Sequence, residues 1–212
     1  ERHVADGLDH NFYGAENALW DIVGKAAGKP LHRLWGSYRD RIKLYLTTVW
    51  PVDAHQTQVT PEQQAEDMAH LATFGYKAFK FRIWRPDPMD DVEIVRQARA
   101  RMGGPEKVEL MLDRTGDGPG EDWDEETGLR VANALHEAGA QWLEEPFLRG
   151  DIERHARLRV ASMIPITGGE HQPIDVYDDY FQGRSFDIIQ PHCANVLVHL
   201  KKIAGAAELF GV

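Results

Sequence analysis

Apolar positions recur along this chain at two spacings, and the two alternate. In AENALWDIVGKAA, residues 15–27, Ala15, Leu19, Ile22, Val23 and Ala26 fall three or four apart, one face of a helix that Gly28 and Pro30 close. RIKLYLTTV, 41–49, switches to every second position with β-branched residues and reads as a strand. Thr60-Pro61-Glu62-Gln63 opens the next helix with a capping threonine, a first-turn proline and a glutamine three after the cap. That helix runs to about Phe74 and stops at Gly75. Strands then follow at 77–83, 107–113, 141–145, 164–168 and 186–191, with helices at 88–102, 124–138, 151–161 and from about Leu197 to Phe210.

Strands alternating with helices predict an α/β fold with a parallel sheet of right-handed βαβ units. Six strands follow residue 41 in a chain of 212 residues. A closed barrel has eight strands and typically about 250 residues. The prediction is therefore a TIM-type barrel lacking its last two units, preceded by a helix from a different structure. An open doubly wound sheet is the second choice, weakened because no Gly-rich fingerprint follows an early strand.

In a barrel, chemistry sits at the carboxyl ends of the strands. Strand two ends in Lys80 and Arg82, strand three in Asp113, strand four in Glu144 and Glu145; strand five runs into Glu170 and His171, and strand six into His192. Asp113 stands 31 residues after Arg82, Glu144 31 after Asp113, and Glu170 26 after Glu144. One carboxylate per unit thus converges from three neighbouring strands. Three carboxylates in one place do not all ionise without a cation. Oxygen ligands suit a hard divalent ion, Mg2+ first and Mn2+ as an alternative, and no zinc spacing of Cys and His is present. A lone acid at a strand end is ordinarily a helix cap or a solvated loop residue. Three in register beside Lys80 and Arg82 are not accounted for that way.

The adjacent acids Glu144 and Glu145 follow from the same geometry. Neighbouring strand residues face opposite sides. One acid would meet the metal, and the other would turn away to a cation of its own.

Acidic residues outnumber basic ones, 34 to 24, for a formal charge of −10, which argues against a nucleic-acid partner. The single cysteine, Cys193, allows no internal disulfide. No apolar run approaches the roughly 18 residues of a membrane span, and ERHVADGLDH is too polar for a signal peptide. The expected location is cytoplasmic. The chain opens on Glu1 rather than Met, as part of a longer protein would. EDWDEE, 121–126, reads as acids at a helix start, and His10, His32, His55, His70, His136 and His155 as surface or packing histidines.

These residues carry a resemblance. ENALWDIVGKAAGKPLHRLWG (16–36), GYKAFKFRIW (75–84), LMLDRTG, WLEEP, PITGGEH and DIIQPH, in this order and spacing, resemble the enolase superfamily, and within it the mandelate racemase and muconate lactonizing enzyme group. The resemblance implies a (β/α)7β barrel. Residues 1–40 would be the end of an N-terminal α+β capping domain and its linker helix, and 41–212 barrel strands one to six. It implies Mg2+ on Asp113, Glu144 and Glu170, and removal of the proton α to a substrate carboxylate. It also implies a homo-oligomer acting on a small-molecule carboxylate.

Three positions depart from the family pattern. The second lysine of the strand-two motif is Arg82, which stays protonated and suits a carboxylate clamp or leaving-group steering better than a base. Lys80 would then neutralise the bound carboxylate, with service as a base the weaker option. The usual aspartate after Gln-Pro on strand six is His192, either a base near neutral pH or a polar rim residue. Asn195-Val196-Leu197-Val198 lacks the Gly-Gly that the family usually writes after Asn-Val.

The expected activity is a lyase reaction, dehydration of a sugar acid to a 2-keto-3-deoxy acid. Arg82, His171 and His192 would make a pocket polar enough for a polyhydroxylated acid. A racemase, epimerase or cycloisomerase is one alternative. The other is a non-catalytic, metal-stabilised barrel homologue, for which Arg82 and His192 at the usual base positions are the argument.

Overall fold

The protein is represented by a computed structural model that describes residues 13–48, 60–117, 122–192 and 196–212. The described elements are α1 (Tyr13–Ala26), α2 (Leu31–Leu34), β1 (Leu46–Thr48), α3 (Pro61–Ala72), β2 (Ala78–Arg82), α4 (Pro88–Met102) and β3 (Glu109–Asp113). They continue with α5 (Glu125–Glu137), β4 (Leu143–Glu144), α6 (Ile152–Ala161), β5 (Ile166–Gly168), α7 (Val176–Gly183), β6 (Ile188–Ile189) and α8 (Leu197–Phe210). The strands form one parallel sheet in the order β1-β2-β3-β4-β5-β6, as the alternation predicts.

The chain divides into two compact units. One takes in Leu44–Gly168 and Gly183–Ile188, with β1 to β5 and α3 to α6; the other takes in the described residues up to Lys43, Gly169–Gln182 and Ile189–Val212. In the first unit, strand alternation sends Phe79, Phe81, Leu110 and Leu112 to complete burial, and Val92, Val95, Val131 and Leu135 of α4 and α5 are equally enclosed. Each such side chain contributes about 1.5–3 kcal/mol when taken out of water.

Helix starts follow the sequence signals. Thr60 accepts from the Gln63 amide while the Gln63 side chain accepts from the Thr60 amide, the reciprocal cap its spacing predicts. Asp124 caps α5 by accepting from the Thr127 amide, so the acids after Trp123 do open a helix. α3 ends at Ala72, with Gly75 at φ 96° turning the chain.

Strand lengths differ from the reading of the sequence. Among the described residues, β1 covers Leu46–Thr48, paired from Leu46 opposite Phe79 to Thr48 opposite Phe81. Ile42 and Leu44 keep the alternation but stay 75% and 78% exposed. Helix α7 was not among the predicted elements, although Tyr177, Tyr180 and Phe181 are buried at helical spacing. His10, His55, Cys193 and Asn195 lie outside the described residues. No described helix is long and apolar enough to cross a membrane.

Gly116 fixes the approach of two loops that matter below. A Cβ there would sit 1.7 Å from the Phe147 carbonyl oxygen, so only glycine lets the turn after β3 lie against the segment after β4.

His155 is a packing histidine, as expected. It is fully buried, with its ring 5.4 Å from Phe147 and 4.8 Å from Phe186, and Nδ1 2.8 Å from the Asp151 carbonyl oxygen. Burial disfavours its cation and lowers its pKa from 6.5 to about 4. Between those values the unfolded chain binds a proton that the folded chain refuses, so His155 makes stability fall as pH drops from 6.5 toward 4. Asp91, raised to about 6 by burial although Arg85 pairs with it, works in the opposite sense. Comparison with a variant isolates the histidine. Between pH 7.5 and 5, His155→Phe should lose about 2 kcal/mol less stability than the wild type in urea unfolding. Equal losses would show that His155 can ionise in the fold.

Candidate functional site

The short ladder at the carboxyl ends of β2, β3 and β4 sets the site. Arg82 pairs with Asp113 and Asp113 with Glu144, so these three side chains share one level and one face of the sheet. Lys80 shares the face two residues earlier, opposite Met111.

Lys80 Nζ donates to Glu144 Oε1 and Oε2 at 2.9 and 2.8 Å and lies 3.1 Å from Asp113 Oδ2. All three residues are buried. Burial works against the Lys80 charge, but Asp113 and Glu144 outweigh it and hold the lysine pKa above its ordinary value.

Asp113 is held from one side. Its Oδ1 accepts from the Thr115 amide and hydroxyl, both at 2.8 Å. Arg82 Nη1 donates to the same hydroxyl at 2.5 Å and lies 3.5 Å from Asp113 Oδ2. Oδ2 is buried and makes no hydrogen bond. Thr115, which the sequence reading passed over, links Arg82 to Asp113. Its signal was the spacing two after an aspartate, the geometry of a side-chain turn.

Glu145 follows β4 with a left-handed backbone, φ 46°, and its side chain leaves the Lys80 cluster for another cation. It is 1% exposed and its Oε2 accepts from Arg149 Nε at 2.7 Å, while Arg149 Nη1 lies 3.2 Å from Asp117 Oδ2. The separate cation expected for the second acid is Arg149, four residues on, at a position the sequence reading did not name.

Glu170 and His192 lie in the other unit, together with His171. Glu170 is partly buried with Oε1 3.5 Å from His171 Nε2, and the His171 and His192 rings meet at a tilt of 33° with centroids 3.8 Å apart. The chain turns sharply here, at Gly169 with φ 104° and His171 with φ 56°.

The structure therefore brings Lys80, Arg82, Asp113 and Glu144 together in one unit, and Glu170 and His192 beside His171 in the other. Among the described residues, no three His, Cys, Asp or Glu side chains form a ready metal cluster. Asp113 and Glu144 do fit a cation: two buried carboxylates on adjacent strands share one, and one Asp113 oxygen makes no hydrogen bond. An all-oxygen donor set suits Mg2+.

Fold and site together define a parallel α/β barrel-type domain with a charge cluster at the carboxyl ends of its strands. The family described as enolase C-terminal domain-like matches residues 62–212, and the chain belongs to it. Among its relatives, the L-talarate/galactarate dehydratase of Salmonella typhimurium is 28% identical over 180 residues, covering 84% of this chain and 42% of the relative. The 3,6-anhydro-alpha-L-galactonate cycloisomerase of Streptomyces coelicolor is 29% identical over 195 residues, covering 90% of this chain and 50% of the relative. A solved structure of L-talarate dehydratase from Polaromonas sp. JS666, complexed with Mg and L-glucarate, superposes with a TM-score of 0.79 at 29% identity, covering 92% of this chain and 52% of that one. Other relatives are epimerases and racemases. The chain spans about half the length of the relatives it matches.

Proposed function

We propose that this chain supplies strands one to six, residues 41–212, of the barrel of an Mg2+-dependent lyase, with residues 1–40 the end of a capping domain and linker helix. Its reaction is dehydration of a sugar acid: loss of the proton α to the carboxylate, then departure of the neighbouring hydroxyl, giving a 2-keto-3-deoxy acid. The observation that carries this reading is the in-register cluster of Lys80, Arg82, Asp113 and Glu144. The dehydratase relatives support it.

Asp113, Glu144 and Glu170 would hold Mg2+, and Mn2+ has the same ligand preference. When bound, the ion would stabilise the charge that develops on the substrate carboxylate. Lys80 would neutralise that carboxylate. Arg82, fixed through Thr115, would steer the leaving hydroxyl. His192, in ring contact with His171, is the candidate to accept the proton. The same reading places the enzyme in the cytoplasm as a homo-oligomer acting on a small-molecule carboxylate.

The test is a screen of aldonic, uronic and aldaric acids with Mg2+, reading the 2-keto-3-deoxy product as its semicarbazone, with Glu144→Gln as control. Product from the wild type and none from the variant is the expected result. Product from Glu144→Gln at saturating Mg2+ would remove Glu144 from the ligand set. A second reading, cycloisomerisation of a sugar-acid derivative, is favoured by the Streptomyces coelicolor relative. Conversion of a lactone or anhydro sugar acid to a product of unchanged mass would favour it over dehydration.

A further inference from the structure

The unassigned group nearest the charge cluster is an aromatic pair below it. Tyr45 immediately precedes β1, and Trp142 immediately precedes β4. Strand alternation puts Trp142 on the face that carries Glu144, one level lower. The two rings meet edge to face, with centroids 5.8 Å apart. The Lys80 ammonium lies over the Tyr45 ring, 5.5 Å from its centroid.

Lys80 is a point charge on a flexible stem, held by hydrogen bonds to Glu144 and by the charge of Asp113. Anything else that engages those carboxylates competes with the ammonium for them. The ring contact is different in kind. It is an attraction between the cation and the π-face that does not use the carboxylates at all.

We infer that Tyr45 is a positioning residue for Lys80, and that Trp142 braces the Tyr45 ring in that role. The ring holds the ammonium at its place alongside Asp113 and Glu144. The consequence for turnover rests on the function proposed above; the positioning itself does not.

The first test therefore needs neither substrate nor metal. Acetylation of Lys80 by an N-hydroxysuccinimide ester is followed by peptide mass spectrometry, with exposed Lys25 as the internal standard. Tyr45→Leu should label Lys80 about tenfold faster than wild type, and Tyr45→Phe, which keeps the ring, within about twofold. Lys25 should label equally in all three. Wild-type labelling in Tyr45→Leu, or Tyr45→Phe behaving like Tyr45→Leu, would overturn the proposal. Turnover of any acid found in the screen gives a second reading: Tyr45→Leu should lower kcat about tenfold with KM nearly unchanged, and Tyr45→Phe should restore it. If the screen finds no substrate, the proposed reaction fails and the labelling result still decides the role of Tyr45.

Discussion

Replacing Lys80 by methionine should destabilise the chain by about 3–5 kcal/mol in the presence of a chelator, the cost of removing one partner from a buried ionic cluster. Methionine matches the lysine stem in length, so packing is largely kept and the loss reports on charge. Asp113 and Glu144 would face each other at 1% and 2% exposure, with Arg82 the remaining nearby cation at 3.5 Å from Asp113. Two outcomes then separate structural from functional roles. If the carboxylates can take a divalent cation, Mg2+ should return much of the lost stability, and a thermal melt with and without Mg2+ reads this directly. Turnover in the proposed dehydration should fall about 10^3-fold, whatever the stability, because the substrate carboxylate loses its counter-charge. Full stability without Mg2+ would show that Lys80 does not hold the cluster together.

The second large effect is expected away from the site face. Arg149→Met leaves Glu145, buried with φ 46°, without its arginine. The cost should be about 3 kcal/mol, and the double variant Glu145→Leu/Arg149→Met should recover most of it, since a buried pair can be exchanged for apolar groups at little net cost. Urea unfolding of the four chains forms a double-mutant cycle. Additive losses would mean that the 2.7 Å contact carries no coupling. Because Arg149 also reaches Asp117, the loop after β3 should loosen in the single variant, seen as faster amide exchange at Thr115 and Gly116.

Much of this molecule is legible in its sequence, for physical reasons that can be named. Alternating periods of two and near 3.6 report which face of each element is buried, and burial is what a parallel sheet between helices imposes. So β2 and β3 were readable almost to their ends. Strand one was not, because its alternation continues through Ile42 and Leu44, where no partner strand follows. Periodicity reports the side chains and not the ladder. Helix α7 was missed for the converse reason: Tyr177, Tyr180 and Phe181 do repeat at helical spacing, but within a short segment crowded with acids.

The candidate site divides in the same way. Asp113 and Glu144 were readable because equal spacing along the chain becomes register across the sheet. Thr115, Arg149 and Tyr45 were not singled out, because each acts through a contact with another side chain rather than by its own place at a strand end. His171 and His192 were both noted, yet their ring contact depends on the turn at Gly169 and His171, which no sequence spacing displays.

The doubled acid of strand four has one more consequence. A strand that slips by one residue exchanges its two faces. Here the slip would offer Glu145 where Glu144 now stands, one carboxylate for another, and the charge pattern of the site would hardly register the error. The pairing of Asp113 with Glu144 cannot by itself choose between the two. Arg149 can, because it ties Glu145 to Asp117 in the turn after β3, a cross-strand contact that a slip of β4 would displace. The salt bridge outside the sheet thus acts as a reading-frame check on the strand inside it, and the first sign of its loss should be a mixture of alignments rather than an unfolded chain.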